Sequence, residues 1–340
     1  MEQSASLILG LGLLIGVIFG AVGQVTGFCY YRGLKERWNK QPGSKLQSFA
    51  LALAVALLGT QLSVALGWID LSQTIYLNPR LSWLMLPLGG LLFGYGMALA
   101  NGCGARALVL LGQGNLRSLV VLLCLGISAL ATLTGLLGGL RLAVANQTLL
   151  NLDHVSPAQW GSPLIWAGLA AALLLWFALK APASEHRTRN LIGGALIGLL
   201  VTAGWLTTGW LGVDPFNPVA PSSLSFVLPV GETIQYAMLA TGMNLKFALV
   251  VVMGLVLGSA LSALLRKKYQ LQGFDSPQHL LRAIGGGCLM GIGGVLGMGC
   301  TIGQGLSGIS TLAFGSVVTL VCISLGAWLH HLRTQHLSSV

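Results

Sequence analysis

Across 340 residues, 54% of the side chains are hydrophobic, only 8% are charged, and the charges sum to +10. Apolar runs long enough to cross the roughly 30 Å hydrocarbon core of a bilayer recur along the whole chain, so this is an all-α polytopic membrane protein and not a soluble domain. The basic balance does not imply nucleic acid, because the Lys and Arg residues lie in loops between apolar runs.

About nine spans are predicted from the apolar runs. The first, 7–27, follows Met1-Glu2-Gln3, which lacks a basic leader region, and it ends in Gly23-Gln24-Val25, a poor cleavage site, so it reads as a retained span. It closes on a glycine-rich approach to a thiol, Gly20-Ala21-Val22-Gly23-Gln24-Val25-Thr26-Gly27-Phe28-Cys29, followed by a basic loop. Spans 47–68 and 83–100 come next, the latter closing on Gly94-Tyr95-Gly96 and then Asn101-Gly102-Cys103-Gly104. Ala105 to Leu111 is too short to cross a bilayer. Spans 118–140, 163–180, 191–210, 246–265 and 283–298 follow. The last of these ends in Gly291-Ile292-Gly293 and Met298-Gly299-Cys300-Thr301, again before a short stretch, Thr301 to Ser310, and then the final span, 312–330.

The two glycine-framed cysteines are in register. Gly94, Gly96, Gly102 and Cys103 map onto Gly291, Gly293, Gly299 and Cys300 at one constant offset, and with one inserted residue the match continues to Ser118 with Ser316 and Cys124 with Cys322. The period is far too long for a solenoid, so the chain reads as two related halves. All Lys and Arg except Arg80, Arg141 and Lys246 fall in alternate loops or the tail, whereas the remaining loops hold Asp70, Asp153, Asp214 and Glu232. The positive-inside rule then puts the N-terminus outside and the C-terminus inside. With that topology the repeats run through the membrane in opposite directions, the inverted pattern of secondary transporters. The expected division is 1–162 for the first repeat, 163–190 for a connecting span and basic loop with Glu185-His186-Arg187, and 191–340 for the second repeat and tail.

Non-helical backbone at membrane depth survives only where protein buries it or where it lines a cavity, so the short stretches after Cys103 and Cys300 are expected to be re-entrant helices. Glycines such as Gly102, Gly104 and Gly299 allow tight turns and close approach to a ligand. A helix starting at each cysteine would aim free N–H groups and a positive dipole end into the cavity, attracting a small anion without any buried Lys or Arg. The alternative is that the glycines serve helix packing alone. Cys124, Cys288 and Cys322 read as small buried hydrophobes. Thr301, Gln304 and Ser307 either supplement the second helix end or satisfy local backbone.

At these residues the sequence resembles a known family. Gly27-Phe28-Cys29, Asn101-Gly102-Cys103-Gly104 and Gly299-Cys300-Thr301-Ile302-Gly303-Gln304-Gly305-Leu306-Ser307-Gly308 look like motifs of the YeeE/YedE family of membrane proteins, which includes bacterial thiosulfate-uptake transporters. The resemblance implies a bacterial inner-membrane protein of hourglass shape, with re-entrant helices and three pathway cysteines, Cys29, Cys103 and Cys300, that contact thiosulfate. It also implies a separate cytoplasmic sulfurtransferase partner of the TusA type. Neutral thiols are weak donors to a soft sulfur acceptor, so a ladder of them permits capture and release. A transporter or channel for another sulfur or selenium species, or a membrane thiol oxidoreductase, are the alternatives. The latter needs two cysteines able to approach each other, and no Cys-x-x-Cys motif is present. His154, His186, His279, His330, His331 and His336 lie in loops, near span ends or in the tail, so no metal, haem or other cofactor is expected.

Overall fold

The computed structural model describes residues 2–152, 154–180, 186–212, 220–274 and 276–338, with side chains from Ser6 to Gln335. Asp153, Glu185 and Asp214, which the charge pattern used, and the His336 side chain lie outside the described residues. Helices cover every predicted span: α1 (Glu2–Thr26), α3 (Lys45–Ala65), α4 (Met85–Leu99), α6 (Leu116–Leu133), α8 (Pro163–Leu179), α9 (Arg187–Gly209), α11 (Phe247–Leu265), α12 (Pro277–Leu296) and α13 (Phe314–Ser338). Among the described residues, seven helical stretches are long and apolar enough to cross a membrane, while α4 and α8 are shorter, at 15 and 17 residues. Leucine and isoleucine stand exposed along these helices, as on α8 at Ile165, Leu169 and Leu173. Such a surface is stable against lipid tails, and the narrow Ala167 and Ala171 stripe of α8 packs inward on Ala54 and Leu57 of α3.

Among the described residues there are four shorter α-helices, α2 (Tyr30–Trp38), α5 (Gly104–Gly112), α7 (Gly138–Gln147) and α10 (Leu228–Met238). The stretch after Cys29, read as a basic loop, is therefore helical, because its Leu34 and Tyr31 are buried while Lys35 and Arg37 complement the C-terminal turn. The predicted span 118–140 is two helices. The chain leaves α6 at Thr134 and Gly135, whose N–H groups both return to the Leu130 carbonyl, before α7 begins. A two-stranded antiparallel ribbon pairs β1 (Arg80–Ser82) with β2 (Leu149–Asn151).

Glycine decides how closely the long helices approach. A Cβ on Gly16 or Gly20 of α1 would collide with the Val251 or Leu255 carbonyl of α11, and one on Gly194 or Gly198 of α9 with the Ser48 or Ala52 carbonyl of α3. Gly287 and Gly291 of α12 sit on Cys124 and Leu125 of α6, and Gly90 and Gly94 of α4 sit on Cys322 and Ile323 of α13. These four pairs run parallel. Helices α4 and α12 cross antiparallel, Gly89 meeting Gly293 and Gly297 while Gly96 meets Gly286 and Met290. The buried centre between these seams holds Phe19, Phe93, Trp205, Phe226, Leu125 and Met290.

Candidate functional site

Helices α4 and α12 end in the same way. Ala100, Asn101 and Gly102 donate their N–H groups to Gly96, Ala98 and Met97, and Gly297, Met298 and Gly299 donate theirs to Gly293, Val295 and Gly294. The long return bonds, Gly102 to Met97 and Gly299 to Gly294, are those of a helix closed by a left-handed residue, here Asn101 at φ 57° and Met298 at φ 56°. Each chain then turns at a cysteine into a short helix. Cys103 is extended and immediately precedes α5. Cys300 precedes a turn and the π-helical segment Gly303–Gly308, with its carbonyl accepting from the Gln304 N–H at 2.7 Å and its Sγ accepting from the Gly303 N–H at 3.3 Å. The third break closes α1, where Gly27 takes φ 63° and Cys29 is extended before α2.

These breaks converge. The Cys103 side chain meets those of Cys29 and Thr301, and the Cys300 side chain meets Ser225 and the Phe226 backbone. All three thiols are free and buried, with exposures of 2%, 3% and 1% for Cys29, Cys103 and Cys300. The Thr301 hydroxyl and the Gln304 Oε1 are buried without a hydrogen-bond partner, although Gln304 Nε2 donates to the Gly297 carbonyl at 2.8 Å. Ser307 is satisfied locally, donating to the Leu224 carbonyl at 2.8 Å. Gly102 faces the Arg106 stem, Gly104 faces Leu125, and Gly299 lies against Gln304, each so closely that an added Cβ would press on its neighbour. A void of about 10 Å³ beside Tyr76, Met298, Gln304 and Ser316 is the size of one water, so this part of the site is closed to a polyatomic anion.

Three features escaped the sequence reading. The irregular stretch 220–227 supplies Ser225 and Phe226, but it carries no cysteine to mark it. This second-half segment reaches Cys300. Trp205 of α9 is wholly buried and donates to Ser310 Oγ at 3.1 Å. Last, the expectation of a site without a buried cation fails: Arg106 Nη1 is buried, has no hydrogen-bond partner, and its guanidinium is electrostatically coupled to Cys29, Cys103 and Arg32. Arg106 belongs to α5, which turns inward, so its place between apolar runs made it look like a loop charge. Cys124 lies against Gly287 and Cys322 against Gly90, both in helix seams.

Comparison with known proteins gives a match to the Sulphur transport family model over residues 25–329. The chain is 24% identical to the thiosulfate transporter TsuA of Escherichia coli over 93% of its length and 92% of that protein. It is 27% identical to the thiosulfate transporter TsuA of Spirochaeta thermophila, covering 93% of the chain and 96% of the relative. Similarity to the probable transporter YedE of Escherichia coli is 30% over 28% of the chain and 22% of that protein.

Proposed function

Because the chain belongs to the Sulphur transport family, we propose that it carries thiosulfate across the bacterial inner membrane along a track formed by Cys29, Cys103 and Cys300. The observation that carries this reading is the meeting of three helix breaks in one buried place, where Cys103 touches both Cys29 and Thr301, the neighbour of Cys300. Two relatives named as thiosulfate transporters match the chain nearly end to end, which favours this substrate. Thiosulfate has a soft terminal sulfur suited to weak thiol donors and an oxygen-rich end suited to N–H groups at helix starts. Thr301 and Gln304 would add a donor and an acceptor inside the track, and Gly102, Gly104 and Gly299 would let the backbone approach the anion. The void beside Gln304 has room for about one water, so parts must move for the anion to pass there.

The doubled seams support the reading of 1–162 and 191–340 as inverted repeats joined through 163–190. Exchanging α4 with α12 turns the contact of Gly89 with Gly293 into that of Gly286 with Gly96. In this arrangement the N-terminus is periplasmic, the C-terminus is cytoplasmic, and a separate TusA-like sulfurtransferase takes the imported sulfur. The test is labelled thiosulfate uptake in bacteria stripped of their own sulfate and thiosulfate importers, comparing the intact protein with Cys103→Ser and Cys300→Ser at matched membrane levels. Saturable uptake lost in both variants is the expected result, and no uptake by a well-expressed intact protein sinks the reading.

The contact between Cys29 and Cys103 favours one second reading, a membrane thiol oxidoreductase, because two thiols that touch meet its first requirement. It predicts that the pair cycles between thiol and disulfide during turnover. Alkylation and mass analysis of the working protein separates the two: a persistently reduced pair during uptake speaks for transport.

A further inference from the structure

We propose that Arg106 and Arg32 form an oxyanion subsite beside the cysteine track, which takes the oxygen-bearing end of the transported anion while its sulfur rests on Cys29 and Cys103. This rests on the transport reading above. Arg106 is the third residue of α5 and Arg32 the third of α2, so the two helices that begin at Cys103 and Cys29 each bring a guanidinium to the same place. Both tips face Gly27: Arg32 Nη1 and Arg106 Nη1 lie 3.7 and 4.0 Å from the point a Cβ on Gly27 would occupy. Gly27 leaves that point empty, and its left-handed backbone, φ 63°, excludes most side chains from it.

Among the described residues no carboxylate pairs with either guanidinium, of which Arg32 is exposed and Arg106 partly buried. Among the described residues, the carboxylates with a basic partner are Glu36, paired with Lys45, and Glu232, paired with Lys246; neither partner is Arg32 or Arg106. Arg106 Nη1 is buried without a hydrogen-bond acceptor. A buried guanidinium nitrogen without an acceptor is costly, and a second cation nearby makes it more so, unless an anion fills the gap. The planar fork of Arg fits paired oxygens on a tetrahedral anion, whereas thiols fit sulfur. The geometry thus orients an anion carrying both, with sulfur on Cys103 and Cys29 and oxygens toward Arg106 and Arg32. The subsite by itself should accept sulfate, which offers only oxygens.

The experiment uses the purified full-length protein in detergent, with sulfate and thiosulfate as probes in thermal-shift titrations, alongside uptake in cells. The variants are Arg106→Gln, Arg106→Lys, Arg32→Gln and Cys300→Ser, each checked for a single monodisperse species. Sulfate is expected to raise the melting temperature of the intact protein and of Cys300→Ser. In Arg106→Gln that shift should be lost and the half-saturating thiosulfate concentration for uptake raised at least tenfold. Arg106→Lys should recover part of both, and Arg32→Gln should show the same losses to a smaller degree. A sulfate shift undiminished in both Gln variants, or none in the intact protein, overturns the proposal. If the intact protein imports no thiosulfate but its sulfate shift still requires Arg106, the substrate reading fails and the subsite stands.

Discussion

Thr301 is fully buried and its hydroxyl lacks a partner, whereas Ser307, six residues on, is equally buried and bonded to the Leu224 carbonyl. Physical chemistry separates their roles. An orphaned hydroxyl costs stability, so Thr301→Val, which keeps the shape, is expected to leave the unfolding free energy unchanged or raise it by about 1 kcal/mol at most. Uptake should nevertheless fall at least tenfold, and Thr301→Ser should retain it. Ser307→Ala should do the reverse, costing about 1–2 kcal/mol in unfolding and sparing the half-saturating concentration. Melting and uptake measured on one set of membranes check both, and an equal loss of stability in the two would deny Thr301 a part in the track. The cysteines and their glycines were visible in the sequence because both residue types are out of place in a lipid-facing helix and recur at a fixed offset. Arg106 was not, since composition cannot tell a loop arginine from one whose short helix carries it inward.

At the scale of helices, apolar length alone located every long element, because a membrane requires it and little else competes. The short helices α2, α7 and α10 and the β1–β2 ribbon were missed for the converse reason: they are too short and too polar in part to carry that signal. Nor did the sequence say which glycines serve packing. In the structure Gly20 sits on the Leu255 carbonyl, while Gly10 of the same helix has nothing within 4 Å of its would-be Cβ. Gly20→Ala should therefore force α1 off α11, at a cost of roughly 1–3 kcal/mol, and Gly10→Ala should be neutral or slightly favourable. Gly198→Ala, on the corresponding seam of α9 with α3, should match Gly20→Ala. The measurement is the amount of monodisperse protein surviving a graded heat step in detergent. Equal survival of Gly20→Ala and Gly10→Ala would show that the seam tolerates a methyl group.

Over the whole molecule, the seams join residues far apart in sequence: α1 with α11, α3 with α9, α4 with α12 and α13, and α6 with α12. Each of these pairs takes one helix from before residue 180 and one from after it, so the chain's centre is assembled between its two parts and not within either. The site follows the same rule, since Cys29 and Cys103 come from the first part while Thr301, Gln304 and Ser225 come from the second. Helix association in lipid relies on close packing, because tails offer no hydrophobic gain, so a part deprived of its seams has little to hold its helices in place. Severing the chain between Lys180 and His186 tests this directly. Either fragment expressed alone should be degraded, leaving the glycine faces of α1 and α4 or of α9 and α12 unfilled. Both expressed together should accumulate, co-purify through a tag on one of them, and restore thiosulfate uptake to a measurable fraction of the intact level. A first fragment that accumulates alone as a stable, monodisperse species would mean that its helices hold one another, and the glycine seams would then be an interface between finished domains instead of the core itself.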